Sequence, residues 1–243
     1  CVQRFISGIA KLLFLFFTLS FLNFSVSFAS ETYPKNLQLT YAVTKNGQPF
    51  ATVHENFTVN GNSYTIESAT KGIGVYALFG VRQLKSEGEV TPAGLKPLKF
   101  ELHQGNDEKR ALLTTFDWQN NQLKMLVKGK EKTAQLIAGT QDLASFAYQF
   151  MFNSTVLKEA IAIDLTTGKK LNHYQYAVAQ EPLDVMEKSI QTYHLTPAKN
   201  DQLSSETKEL WLSPAHYYVP VKILIVDEYG QKLEQTLTEI HAN

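Results

Sequence analysis

Residues 36–68 have the sequence NLQLTYAVTKNGQPFATVHENFTVNGNSYTIES. Apolar residues occupy alternate positions on both sides of Asn46-Gly47, namely Leu37, Leu39, Tyr41 and Val43 before it and Ala51, Val53, Phe57 and Val59 after it. Alternation with a period of two predicts β-strands, and Asn-Gly is the strongest short-range signal for a hairpin turn. A second Asn-Gly pair, Asn60-Gly61, leads into residues 64–68. The stretch therefore predicts three antiparallel strands that are neighbours in a meander.

The same alternation continues through the rest of the chain. Short strand-like segments separated by turn residues recur at 83–90, 98–103, 111–117, 122–127, 133–137, 160–165, 171–179, 188–195, 207–212, 219–227 and 232–240. Regular short strands without intervening helices are typical of a sheet that curls into a sandwich or barrel. We therefore expect a mostly β fold, formed by a single antiparallel, strongly curved open sheet or half-barrel of roughly ten to twelve strands.

Residues 142–152 interrupt this pattern and predict the main helix. Its apolar stripe consists of Leu143, Phe146, Ala147 and Phe150. Asp142 stands where an N-cap residue would satisfy the first free N–H groups. We expect this helix to pack on the concave side of the sheet, because only there does its apolar stripe meet other apolar side chains.

A second interruption, residues 71–80, has the sequence KGIGVYALFG. The segment is short, apolar and bracketed by glycines, so it is either a helical turn or a loop packed over the sheet. It is not expected to hold a phosphate, because it lacks the Lys-Ser/Thr ending and the βα context of a phosphate loop.

The first 29 residues predict a secretory signal peptide. Arg4 and Lys11 precede an apolar run at 12–22, and Ser27-Phe28-Ala29 places small residues where a signal peptidase cleaves. Cleavage after Ala29 leaves a single β-rich domain, residues 30–243, that does not span a membrane. The competing interpretation is an uncleaved anchor, since residues 12–29 have no charge and nearly reach the roughly 18 apolar residues that a spanning helix needs.

Composition excludes several classes of protein. Cys1 is the only cysteine, so the exported domain cannot be a disulfide scaffold. Removing Arg4 and Lys11 with the leader leaves 21 Lys and Arg against 23 Asp and Glu residues, a net charge of −2. Without a basic field we expect no nucleic-acid partner.

Catalytic and metal-binding patterns are absent from the sequence. No Gly-x-Ser-x-Gly pentad is present, and no two of the six histidines stand at a metal-ligand spacing. Paired carboxylates for glycoside hydrolysis are brought together only by the fold, so an enzyme stays open as a third alternative. We nevertheless expect no catalytic residues, no metal and no cofactor, and we interpret the chain as a protein without enzymatic activity.

Aromatic residues supply the candidate ligand site. Phe116 and Trp118 close one predicted strand, and the loop at 211–220 contains Trp211, Tyr217 and Tyr218. Such rings at the mouth of a curved sheet can line a cavity for an acyl chain or another apolar ligand. The alternative is ordinary core and rim packing.

Several short motifs resemble the bacterial domain-of-unknown-function family 3108. They are SEGEV (86–90), GLKP (94–97), TFDW (115–118), QDLAS (141–145) and LWLSP (210–214), with Val219-Pro220-Val221 following. The resemblance implies a Gram-negative periplasmic protein whose open, strongly curved sheet is similar to that of periplasmic lipoprotein carriers. The family has no established activity, so the resemblance implies no catalytic residues. Asp117, Asp142, Trp211 and Pro220 match recurring family positions, and we expect structural roles for Asp117, Asp142 and Pro220.

Two functions follow from these observations. The first is a periplasmic binding or carrier protein for a lipid, a lipidated peptide or a hydrophobic peptide. The alternative is a structural or interaction module of the cell envelope that docks a protein partner by an edge or a face of its sheet.

Overall fold

Alternating residues and tight turns build a long series of strands. The computed structural model describes residues 33–105, 107–158, 160–198 and 207–243, so the predicted signal peptide lies outside the described residues. The strands are β1 (Asn36–Lys45), β2 (Gln48–Asn60), β3 (Ser63–Gly72), β4 (Arg82–Thr91), β5 (Gly94–Gln104), β6 (Leu112–Asp117), β7 (Gln122–Val127), β8 (Lys130–Gln135), β9 (Gln141–Asp142), β10 (Ala160–Thr166), β11 (Leu171–Val185), β12 (Lys188–Pro197), β13 (Thr207–Leu212), β14 (Pro220–Val226) and β15 (Lys232–Ala242). An α-helix, α1 (Ser145–Phe152), lies between β9 and β10. Within these ranges no helix is long and apolar enough to cross a bilayer.

All of these strands belong to one sheet with the order β8-β7-β6-β5-β4-β3-β2-β1-β15-β14-β13-β12-β11-β10-β9. Strands that are neighbours in sequence lie side by side, except for β8 and β9, which form the two edges of the sheet. The pairing between strands distant in sequence is that of β1 with β15, which places Leu39 opposite Ile240. This pair joins an N-terminal half-sheet, β1–β8, to a C-terminal half-sheet, β9–β15. The prediction of one open sheet is confirmed. Its 15 strands exceed the expected roughly ten to twelve, because nearly every alternating segment forms a strand of its own.

One strand pair departs from the antiparallel prediction. The two-residue strand β9 runs parallel to β10, with Gln141 opposite Leu165 and Asp142 opposite Thr166. A parallel pair needs a long crossover, and α1 with its flanking loops supplies it. No alternation is visible over two residues, so the sequence had no signal for this strand.

The side chains of α1 are buried on two sides. Tyr148 stacks on Phe57 of β2 with ring centroids 5.1 Å apart, and Phe146 stacks on Tyr176 of β11 at 6.3 Å. Met151 is also buried, although it lies outside the predicted apolar stripe. The helix therefore packs between the inner faces of the two half-sheets, and this packing stabilises a helix too short to persist alone.

Asp142 stands before the helix rather than at its N-cap. The helix begins at Ser145 and its N-cap position is Ala144, so the predicted N-cap assignment was wrong in position. Oδ1 of Asp142 nevertheless accepts the N–H of Ala144 at 2.9 Å and that of Ser145 at 2.8 Å, while Oδ2 accepts the Ser86 hydroxyl at 2.6 Å. Burial raises the pKa of Asp142 to about 6. The carboxyl thus holds the chain at the entry to the helix.

The glycine-bracketed segment forms a short 3₁₀ helix, Gly74–Phe79, between β3 and β4. Of the two alternatives that the sequence left open, the structure has the helical turn and not the loop packed over the sheet. Val75 is 72% exposed, Leu78 is 88% exposed and Phe79 is 69% exposed. The physical reason is that Tyr76 alone turns back onto the sheet, so the other side chains of the turn point outwards.

Candidate functional site

The predicted aromatic pair of the N-terminal half-sheet is packed. Phe116 is only 4% exposed, and its ring lies 6.0 Å from the half-buried ring of Trp118. The indole N–H of Trp118 donates to the carbonyl oxygen of Pro97 at 2.6 Å, and the Lys96 ammonium lies 5.8 Å from the centre of the ring. Both rings are therefore held by interactions within the protein.

The second aromatic group surrounds Trp211 in the C-terminal half-sheet. The Trp211 ring stacks on the His194 imidazole at 4.0 Å, its N–H donates to Glu181 Oε1 at 2.6 Å, and the Lys222 ammonium lies 5.1 Å from its centre. His194 Nε2 is 2.9 Å from Glu209 Oε2. This arrangement is a polar network around a buried ring that is 7% exposed.

The two tyrosines of the same loop lie nearby. Tyr218 approaches the ring of Tyr193 at 6.1 Å, and Tyr217 is 39% exposed. Trp118 follows the last residue of β6, and the loop with the tyrosines follows the last residue of β13, so both aromatic groups lie at one end of the sheet. We call this the packed end. Its arrangement agrees with the packing interpretation of the rings.

The three residues expected to be structural each hold a turn or a strand end. Asp117 accepts hydrogen bonds from the N–H and the side-chain amide of Asn120, at 3.1 and 2.9 Å, and these bonds lower its pKa. The carbonyl oxygen of Pro220 accepts the buried hydroxyl of Tyr41 at 3.0 Å, which links β14 to β1. Asp142 organises the entry to α1, as described above.

At the opposite end of the sheet, both half-sheets surround a cavity of about 590 Å³. Its apolar wall consists of Val43, Phe50, Val53, Leu102, Leu112, Val127, Leu143, Ile223, Ile225 and Leu233. Most of these residues lie near the first residues of β2, β6 and β15 or near the last residues of β1, β5, β7 and β14. We call this the cavity end. A more open depression of about 830 Å³ adjoins it and shares Arg110, Leu112 and Lys128 with it.

Positive charge is concentrated around this cavity. None of the acidic residues that the structure describes lines the cavity. The basic residues that line it are Arg82, Arg110, Lys128, Lys169 and Lys208. Lys208 continues the alternation of the buried residues Leu210 and Leu212 along β13. Because the whole chain has 23 basic and 23 acidic residues, this excess is a local property of the cavity lining.

This combination of walls and charges suits an amphiphilic molecule. The volume lies within the roughly 300–1,000 Å³ of small-molecule sites. Apolar walls favour a hydrocarbon chain, and cations beside low-dielectric walls attract an anionic group more strongly than cations in open water do. Among the described residues, no group of three or more His, Cys, Asp or Glu side chains is placed to hold a metal ion.

Sequence reasoning missed all five cavity cations. They come from β4, from the turns after β5, β7 and β10, and from β13, so no local motif contains two of them. One signal was available, because Arg82 and Lys208 occupy the same alternate positions as the buried residues of their strands. A charged residue at an inward-facing position near a strand end lies either at the rim of the core or in the wall of a cavity. Only the topology of the sheet shows which of the two applies.

Comparisons with known proteins agree with this architecture. A family model described as "Protein of unknown function (DUF3108)" matches residues 37–238. A crystal structure of a β-barrel-like protein of the domain of unknown function DUF1849 from Brucella abortus is similar, with a TM-score of 0.58 and 9% identity over 87% of this chain and 99% of that chain. At this identity the likeness shows the fold alone.

A second solved structure, a DUF1329 family protein from Desulfovibrio piger, matches with a TM-score of 0.25 and 8% identity over 88% of each chain. That TM-score is too low to support any argument about the fold. Among curated proteins none matches the chain significantly in sequence.

Proposed function

We propose that this chain, which belongs to the DUF3108 family of proteins of unknown function, is a periplasmic, non-enzymatic binding or carrier protein. Its ligand is an apolar molecule, a lipid or a lipidated or hydrophobic peptide, that ends in an anionic group. The observation that supports the proposal is the cavity between the half-sheets, with its apolar wall and its five cations.

The apolar wall provides the affinity. Burying hydrocarbon is favourable by about 25 cal/mol per Å² of apolar surface. The wall draws on both half-sheets, as Val43 and Val53 on one side and Ile223 and Ile225 on the other show. A chain that enters between them loses contact with water on both sides, so affinity rises with chain length.

The cations provide the orientation. Arg110, Lys128 and Lys169 are exposed at the border of the cavity, while Arg82 and Lys208 are partly buried. An anionic group held among them keeps its contact with water, and the chain points toward the core. The anionic group of the ligand is therefore not buried without a partner, which would be costly in a low-dielectric interior.

The sheet edges support the alternative function less well. Edge strand β8 is exposed over most of its length and begins with Lys130, Glu131 and Lys132. Charged residues on an edge strand oppose the addition of a further strand. Strand pairing with a protein partner is therefore disfavoured at this edge.

Export is part of the proposal and is supported by the first 29 residues alone. Their basic start, apolar run and Ser27-Phe28-Ala29 ending are those of a cleaved leader. Amino-terminal sequencing of the protein released by osmotic shock tests this point, and recovery only in the membrane fraction contradicts it.

Titration of the delipidated protein with a fluorescent long-chain fatty acid tests the binding function. We expect saturable binding, and Ile225→Trp, which fills the cavity, weakens it about tenfold or more. Leu233→Phe is a milder second variant if the first unfolds. Tyr217→Ala at the packed end is the matched control and binds like the wild type. Absence of binding at every chain length, or full binding by both cavity variants, refutes the proposal.

A further inference from the structure

The turn between β3 and β4 presents an unusual group of exposed apolar side chains. Val75, Leu78 and Phe79 are exposed by 72%, 88% and 69%, and Ile73 by 46%, within seven consecutive residues. Single exposed apolar residues are ordinary, whereas a contiguous exposed apolar patch marks an interaction site. We call residues 73–79 the apolar tip.

The apolar tip has a defined shape. The N–H of Ile73 donates to the carbonyl oxygen of Phe50 at 2.9 Å, and the ring of Tyr76 packs on that of Phe50 at 4.6 Å. The side-chain amide of Gln104 donates to the carbonyl oxygen of Phe79 at 3.3 Å. Anchored in this way, the turn holds its apolar side chains away from the sheet.

The apolar tip stands at the mouth of the cavity. Phe50 and Gln104, which hold it, both line the cavity, and so does Arg82 at the start of β4. Tyr229, which is 79% exposed, lies on the turn between β14 and β15 at the same end, between the cavity residues Ile225 and Leu233. Exposed apolar and aromatic side chains therefore lie at the same end of the sheet as the five cavity cations.

We propose that the apolar tip docks the cavity end onto the surface of an anionic lipid bilayer. Val75, Leu78 and Phe79 enter the interfacial region, and the neighbouring cations attract anionic headgroups, which is the combination that peripheral membrane proteins use. Tyr229 lies at the level of the headgroups, where aromatic rings are favoured. The cavity then opens toward the membrane, so a lipid can pass between the two.

A bilayer fits this surface better than a protein partner does. The tip is one protruding turn, whereas a stable protein interface buries about 800 Å² on each partner and needs complementary shape. A bilayer needs no complementary shape and offers both the apolar layer and the negative charge that the tip and the cations require. Docking does not require a ligand in the cavity, so it is a property separate from ligand binding.

Sedimentation with vesicles tests the proposal. The delipidated protein is mixed with vesicles of phosphatidylglycerol and phosphatidylcholine, or of phosphatidylcholine alone. We expect binding to the anionic vesicles that weakens as salt rises, and little binding to the neutral ones. The double variant Leu78→Ser/Phe79→Ser weakens binding to anionic vesicles at least about tenfold. Tyr217→Ser, at the packed end, leaves it unchanged.

The outcomes separate docking from ligand binding. The double variant keeps the wild-type melting temperature and fatty-acid affinity, because Leu78 and Phe79 are exposed and do not line the cavity. Wild-type protein that fails to sediment with anionic vesicles overturns the docking proposal, and so does a double variant that sediments as well as the wild type. Either result can occur while the cavity binds fatty acid normally.

Discussion

The two ends of the sheet are filled by different side chains, and only one of them leaves a space. At the packed end, large rings are stacked and their N–H groups are satisfied, as for Trp118 with Pro97 and for Trp211 with Glu181. At the cavity end, aliphatic side chains leave a space of about 590 Å³ that is bordered by cations. Aromatic content alone therefore does not locate a binding site in this fold, since a ring with satisfied partners contributes to stability.

The two ends should respond differently to substitution. Substitutions of buried rings at the packed end should change the free energy of unfolding and leave ligand binding intact. Substitutions of exposed residues that line the cavity should change ligand binding and leave stability intact. The following predictions test this division.

The largest effect is expected for Trp211→Ala. Truncation removes a buried ring with its His194 stacking and leaves Glu181 without its indole donor. We expect a loss of about 3 kcal/mol or more in the free energy of unfolding, measured by urea denaturation. Tyr217→Ala, which removes a partly exposed ring from the same end, should stay within about 0.5 kcal/mol.

Fatty-acid affinity of the folded Trp211→Ala protein should equal that of the wild type. A large loss of affinity at unchanged stability would show that Trp211 contacts ligand and would break the division between the two ends.

An effect of about 3 kcal/mol is expected from the pH dependence of stability. The pKa of Asp142 is raised by burial from 3.8 to about 6 in the folded protein. As pH rises through this interval the unfolded chain ionises first, so the stability contributed by the neutral carboxyl is present below pH 3.8 and is lost as pH approaches 6. Urea denaturation from pH 3.5 to 7 should show this decline in the wild type relative to Asp142→Asn.

Asp142→Asn retains a side-chain oxygen for the N–H groups of Ala144 and Ser145 but does not titrate. Burial also raises the pKa of Glu55, but both proteins contain Glu55, so its contribution cancels in the difference. Parallel stability profiles for the two proteins would contradict the shifted pKa of Asp142.

The smallest effect is expected for the double variant Arg110→Gln/Lys169→Gln. Both side chains are exposed at the border of the cavity, so the change in unfolding free energy should stay within about 0.5 kcal/mol. Affinity for a fluorescent fatty acid should fall about fivefold, because screened surface charges each contribute little. Affinity for the corresponding uncharged alcohol should not change, and an equal loss for both ligands would show that the cations do not recognise the anionic group.

Much of the fold was predictable from the sequence because it rests on local patterns. The alternation around Asn46-Gly47 gives the β1–β2 hairpin, in which both turn residues have the positive φ angles that such a tight turn requires, 50° and 80°. Strand β9 was not predictable, because two residues show no alternation and their pairing depends on β10. The start of α1 was misplaced because Asp142, a strong capping residue, is used by the turn before the helix.

The candidate site was less predictable than the fold. Rings such as Trp118 and Trp211 attract notice in a sequence, but whether they face a cavity depends on partners that are distant along the chain, here Pro97 and Glu181. The exposed side chains of the apolar tip were visible as a short apolar segment. Its outward direction was decided by Tyr76 packing on Phe50.

Local sequence patterns specify a mostly β chain, the turn positions and the central helix, because period-two alternation, Asn-Gly turns and a helical stripe are local preferences of the backbone. Where the two half-sheets meet, and which residues line the space between them, depends on long-range packing. Pairing of β1 with β15 brings Val43 opposite Gln235, almost two hundred residues away, and thereby places Arg82 and Lys208 around one cavity. Such proximity arises from contacts that become favourable only once the whole sheet has formed, so no short segment of the chain can encode it.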